Sequence, residues 1–515
     1  MQQRSFTRSS LALLACLVPP TLAQAQVAIT VSPSFPSDIA GGAPAATLQQ
    51  AAAFAWQEFI ALNWPALAGQ RDTPDPSQKF GSGNGTPTIG ETPGTGGTPL
   101  VWQTFRSKVE ILNLTSSDVP PGYTPSGPSY GYNTPNPTYV YATREIAACQ
   151  TASSTPAWIN LDETTQIGLD QMFAGGPATG GSNNTAPQLI RFAVKANQVQ
   201  YSYIAANEFF LPAKKIGPAQ NNAKAYTANP PVAPTPPFIS FPPGTVEIKS
   251  AWRPLTSADT PSHFHVQTVR FYEDKGPGNA PCYFEEEWGL IALHIIQKTP
   301  TAPAFIYATF EQAESIKQPN GTAVEDQDGK VNPISGAAPT TPSMSYKDSP
   351  TDPKVTANGP DCTPSNNLYF KDNPKDTGLT GGGAICVNQR YESIHPDVVA
   401  VNTAAHQAIT AYNAAQQVTN SPWPYYKLVS VQAQPFDVSA ISPTDPTHSA
   451  AVFFQANIVV ETNYTLQQFQ GRIATGTGAG AAGHAGHIVG IRTIRPDSAR
   501  CRRAGRISRA TRSMT

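Results

Sequence analysis

The sequence predicts an α+β fold: a mainly antiparallel sheet with covering helices and long Pro/Gly-rich loops. Three observations support this. Residues 244–314 carry period-two alternation through several segments, the mark of strands with one face inward. Two other segments, near 50–64 and 396–415, carry helical spacing. The chain holds 51 Pro and 39 Gly with only 13% charged residues, well below the roughly 25% of an average domain. Short elements joined by long connections follow. Net charge is −1, so there is no long-range attraction for nucleic acid.

In order along the chain, Arg4 and Arg8, the apolar run Leu11–Val18 and Ala23-Gln24-Ala25 predict a secretory signal over 1–25. The run is too short to span a bilayer. Leu13–Cys16 offers a lipobox-like alternative with anchoring at Cys16. A single α+β body is expected over 26–470, with room for two subdomains. Thr47–Trp64 predicts an amphipathic helix, with Thr47 as N-cap and Pro65 as its stop. Trp56 and Trp64 fall on one face of it. Residues 66–98 read as loop, and Val101–Leu112 as a further helix. Pro187–Phe210 reads as a strand running into a helix. Residues 211–243, with PPVAPTPPFISFPP, read as polyproline-like connection.

The centre of the chain follows. Val246, Ile248, Ser250 and Trp252 alternate with Glu247, Lys249 and Ala251, predicting one apolar and one polar face. Strands are expected through Phe264–Phe271, Leu290–Ile296 and Phe305–Phe310, the last two separated by Pro300 and Pro303, giving an antiparallel meander. Residues 315–385 are loop, with Asp326–Gly329 a turn and not a calcium loop, because Val324 stands at the first ligand position. A helix with Pro396 in its first turn and strands at Trp423–Gln434 and Ala450–Thr462 close the body.

Chemistry is less legible. His263 and His265 would share a face on a strand and could ligate a metal; the alternative is a half-exposed pair. His294 lies in an apolar run, as a hydrogen-bonded core histidine would. Glu285–Glu287 cannot all face one site on a strand. Lys249 and Arg253 share a face with Glu247, either as a surface ion cluster or as an anion site. Export favours disulfides. Cys149, Cys282, Cys362 and Cys386 allow three pairings, and sequence proximity favours Cys362 with Cys386, leaving Cys149 with Cys282. No G-x-S-x-G, H-E-x-x-H or P-loop occurs, and no catalytic residue is assigned.

Five blocks carry a family likeness: AFAWQEFIALNWP (Ala53–Pro65), VWQTFRSKVEI (Val101–Ile111), FPPGTVEIKSAWRPL (Phe241–Leu255), GLIALHIIQKTPTAPAFIYATFEQAE (Gly289–Glu314) and ANIVVETNYTLQQFQ (Ala456–Gln470). Together they resemble exported bacterial proteins of the cytochrome c family. The resemblance implies electron transfer outside the cytoplasm, a redox partner protein, and a haem c held by a C-x-x-C-H motif shortly after the last block. This sequence departs there, with no C-x-x-C-H anywhere. From Arg472 it turns Gly/Ala-rich and carries eight Arg between Arg492 and Arg512 without Lys, while Lys outnumbers Arg upstream. That shift suggests an altered reading frame over 471–515, a disordered tail in which His484 and His487 are accidental.

Two functions are therefore expected. One is an electron-transfer or redox-associated protein in the periplasm or outside the cell, without covalent haem. The other is a haem-free small-ligand-binding protein, whose site would draw on Lys249, Trp252, Arg253, His294 and Glu311.

Overall fold

The computed structural model describes residues 28–82, 97–111, 157–161, 190–227, 232–273 (without Ala258), 282–302, 305–315, 322–332, 393–433 and 457–460, with short pieces at 123–124, 127–128, 140–141, 144–145, 147–149, 367–369 and 384–386. The signal segment, the tail from 471 and Cys362 lie outside the described residues.

The fold is α+β. Eight strands form the principal sheet: β1 (Arg106–Ser107), β2 (Ile159–Asn160), β3 (Arg191–Ala196), β4 (Val246–Arg253), β5 (Val266–Glu273), β6 (Cys282–Gln297), β7 (Ile306–Gln312) and β8 (Tyr426–Gln432). The order is β1-β3-β4-β6-β7-β8, with β5 also on β6 and β2 on β5. Every pairing is antiparallel except that of β2 with β5, so the sheet is mixed.

The expected meander is corrected at its centre. β6 is 16 residues long, about twice its neighbours. Its first half pairs with β5 and its second half with β4, so β4 and β5 share one long partner. Glu286 and Glu287 are exposed on the first half, while the second half is buried apart from a half-buried His294.

Among the described residues four longer helices accompany the sheet: α1 (Leu48–Leu62), α2 (Gln198–Ala206), α3 (Pro212–Thr227) and α4 (Pro396–Gln416). Thr47 caps α1 through a reciprocal pair with Gln50. From Ala51 to Leu62 only Gln57 escapes full burial, so α1 is a core helix and not the amphipathic one expected. Trp64 lies past its end, with Nε1 donating to Asp75 O at 2.8 Å. α1 and α4 pack on β8 and cover one face of the sheet. Between them Trp56 Nε1 donates to Asn402 Oδ1 at 2.8 Å.

Three expectations fail locally. Val101–Leu112 is broken into a 3-10 turn (Val101–Thr104), β1 and one short helical turn (Lys108–Ile111), because Lys195 Nζ holds the carbonyls of Gln103 and Phe105 that a helix would use. Residues 212–227, read as connection, form α3. Ala, Lys and Gln favour helix there, and α3 survives Pro218 by packing Ala219 in a separate apolar cluster with Phe210, Ile239 and Phe241. The described part of Ala450–Thr462, Asn457–Val460, is a turn and not a strand. Asp326–Gly329 is the expected turn, closed by Asp326 N to Lys330 O at 2.8 Å.

Candidate functional site

The antiparallel register decides which side chains meet, since directly paired residues project to the same face. Lys249 pairs with His294, His294 with Thr309, and Thr309 with Ser430. These four make a polar row across β4, β6, β7 and β8. The neighbouring row holds Ala251, Ala292, Glu311 and Lys427. On the far side Glu247 pairs with Ile296, and Ile296 with Tyr307. Ile248, Ser250, Trp252, Leu293 and Phe310 point the other way, towards α1 and α4.

The face is polar yet buried. Lys249 is 3% exposed, Thr309 0% and Lys427 1%. His294 Nδ1 lies 2.6 Å from Thr309 Oγ1. The Lys249 ammonium sits 5.0 Å from the centre of the Phe192 ring, a cation–π arrangement. Lys427 Nζ lies 2.8 Å from Glu325 and 3.4 Å from Glu311. Glu311 Oε2 accepts the Ile458 N–H at 3.1 Å. Glu247 Oε2 accepts from Gln200 Nε2 at 2.7 Å. Apolar neighbours, among them Phe192, Val324 and Ile458–Val460, close around these groups.

Three of the five expected ligand residues thus come together: Lys249, His294 and Glu311. Arg253 projects from the same strand but is committed elsewhere. Its guanidinium makes two 2.8 Å bonds to Asp259 and a third, at 3.0 Å, to Pro254 O. Burial alone would raise the Asp259 carboxyl, but the Arg253 hydrogen bonds and charge, with Thr256, hold it below its usual value. Trp252 lies on the opposite face, its Nε1 donating to Ser250 Oγ at 2.9 Å. The expected surface cluster of Glu247, Lys249 and Arg253 is corrected: all three are buried, because α2 and the Phe192 side of the sheet cover that face.

The His263/His265 pair is also corrected in its premise. Pro261–His263 is a 3-10 turn, so the two-residue spacing no longer puts both rings on one face. His263 Nδ1 is 2.8 Å from Glu314 and its ring stacks on Tyr425 at 3.6 Å. His265 is buried, stacked on Trp423 at 5.3 Å, and its Nε2 accepts from Gln103 Nε2 at 2.8 Å. Burial lowers its pKa to about 4, with a smaller opposing contribution from Gln267. Among the described residues no group of three His, Cys, Asp or Glu side chains is placed to hold a metal.

Sequence reasoning missed Lys427, Glu325, Thr309, Ser430 and Gln200. The alternation of Tyr426–Gln432 carried a signal for Lys427, but nothing local tied it to Glu311. It also missed the buried triad Gln103–His265–Gln267, in which Gln103 Nε2 also donates to Gln267 Oε1.

Cys149 and Cys282 are joined as a disulfide. Covalent haem needs two thiols and a histidine in C-x-x-C-H spacing. With that motif missing from the sequence and these two thiols bonded to each other, the residues present do not fit the group the resemblance implies. Among the described residues no helix is long and apolar enough to cross a membrane. No protein-family model, curated protein or solved structure matches the chain.

Proposed function

We propose that this chain is an exported, haem-free small-ligand-binding protein whose site is the polar row Lys249–His294–Thr309–Ser430, flanked by Glu311 and Lys427. The observation that carries the reading is the direct pairing of a lysine with a histidine in the middle of the sheet. Even a well-paired buried charge generally serves stability no better than apolar residues of similar volume. Polar groups concentrated on one otherwise apolar face are what a small polar ligand requires. Lys249 would supply charge, and His294 a donor or acceptor.

The test is native mass spectrometry of the full exported protein as purified, together with a thermal-shift screen of polar metabolites. Wild type should carry or take up one small molecule. Lys249→Met and His294→Leu should lose it while remaining folded. Failure of wild type to bind anything, with both variants more stable than wild type, would refute the site.

The second reading, a redox-associated protein acting with a partner, comes from the family resemblance. It is favoured by a file of buried rings: Trp102, Trp252, His265 and Trp423 follow one another at centroid spacings of 6.3, 6.0 and 5.3 Å. Flash photo-oxidation of the full chain by an added one-electron oxidant would produce a tryptophan radical that migrates along this file and stops in Trp252→Phe if the reading holds, and a signal indifferent to that substitution if it does not.

A further inference from the structure

We propose that Glu58 is a proton-binding site in the middle of α1, holding its carboxyl as the neutral acid and coupling the packing of this helix to pH. Glu58 is 1% exposed, and among the described residues neither carboxyl oxygen has a hydrogen-bond partner. The residues three and four positions away, Phe54, Ala55, Ala61 and Leu62, are all apolar and buried. The ionisable groups on the elements packed against α1 are occupied elsewhere. On α4, His406 bonds Asp328, Asp397 accepts from Gln49 and Tyr412 accepts from Phe80 N. On β8, Lys427 pairs with Glu311 and Glu325, and Tyr426 donates to Leu290 O. On β6, His294 bonds Thr309, Glu285 pairs with Arg270, Glu286 and Glu287 are exposed, and Tyr283 lies under the Arg270 guanidinium. On β7, whose Phe310 packs on Trp56 and Phe59, Glu311 pairs with Lys427 and Tyr307 lies on the opposite face. In the turn Trp423–Tyr425, whose Trp423 packs on Phe59, Tyr425 stacks on His263, and the turn Val101–Thr104 has none.

An isolated carboxylate in such surroundings is far costlier than the acid. Desolvation accordingly pushes the Glu58 carboxyl well above its ordinary value. Releasing its proton to solvent requires water or a cation to reach α1, so ionisation and loosening of the helix are one event.

Two measurements on the full chain test this. In wild type the infrared C=O band of a protonated carboxyl persists at pH 7, and it vanishes on unfolding and in E58Q. Second, the wild-type unfolding constant, relative to E58Q, rises by up to tenfold per pH unit above about pH 5. If E58Q does not fold, E58L takes its place and the wild-type band stands as the readout. A carboxylate at pH 7 in the folded protein, or a pH-independent ratio, overturns the proposal.

Discussion

Asn402 offers the sharpest test of how the helical layer is fastened to the sheet. Its side chain sits at the junction of α1, α4, β8 and the Asp326–Gly329 turn. Oδ1 accepts from Trp56 Nε1 at 2.8 Å and from Leu428 N at 3.1 Å. Nδ2 donates to Leu428 O and Asp328 O, both at 2.9 Å. Leu428 pairs with Phe310 of β7 but lies on the last strand in the sheet order, so on its outer edge the Asn402 amide supplies the backbone pairing that a further strand would. Asn402→Leu keeps the branched shape of the side chain and removes all four bonds. Three fully buried groups, Trp56 Nε1 and the Leu428 N–H and C=O, would then be orphaned at about 1–3 kcal/mol each. The added apolar burial recovers about 1 kcal/mol, leaving a net loss of about 2–8 kcal/mol. Urea unfolding followed by tryptophan fluorescence measures it. A double-mutant cycle with Trp56→Phe isolates the Trp56 share. A loss below about 1 kcal/mol would show that these bonds are replaced by water and that Asn402 is not the fastening.

Other outcomes follow from the same structure. Asp259→Asn should cost about 3 kcal/mol at pH 7 by stranding the Arg253 guanidinium. Because the Asp259 pKa is depressed on folding, this stability is present above its unfolded value and is lost as pH falls through the folded value, so the variant and wild type converge in strong acid. His265 should stay neutral down to about pH 4 in a histidine NMR titration. The unfolded chain takes up that proton near pH 6.5, so wild type loses about 3 kcal/mol between pH 6.5 and 4, and His265→Gln abolishes that slope. Replacing Cys149 and Cys282 together by Ser opens a link between residues 133 apart. This should lower the urea-unfolding stability by about 2–5 kcal/mol and remove its sensitivity to reductant.

Local patterns were read well where one residue decides the outcome. Thr47 predicted the start of α1, and the alternation of Val246–Trp252 predicted β4. The two prolines after Gln297 predicted the gap between β6 and β7. Local reading failed where a distant partner decides. Lys195 breaks the Val101–Leu112 helix from about 90 residues away. The packing of Ala219 against Ile239 and Phe241 turns a proline-rich stretch into α3. The polar face of β4 looked exposed, because alternation reports two unlike faces and not whether either meets water.

The sequence by itself therefore determined the α+β class, the places of most elements and the absence of a haem-attachment motif, since these depend on residue type and spacing within a few turns of chain. Only the tertiary structure decided that β4 and β5 share one long partner, that Lys249, His294 and Glu311 meet on a buried face while Trp252 and Arg253 do not join them, and that Glu58 has no hydrogen-bond partner among the described residues. The reason is that strand register couples residues far apart in sequence. A shift of one position would send Lys249 and His294 to the opposite face, and nothing in either segment alone specifies that alignment.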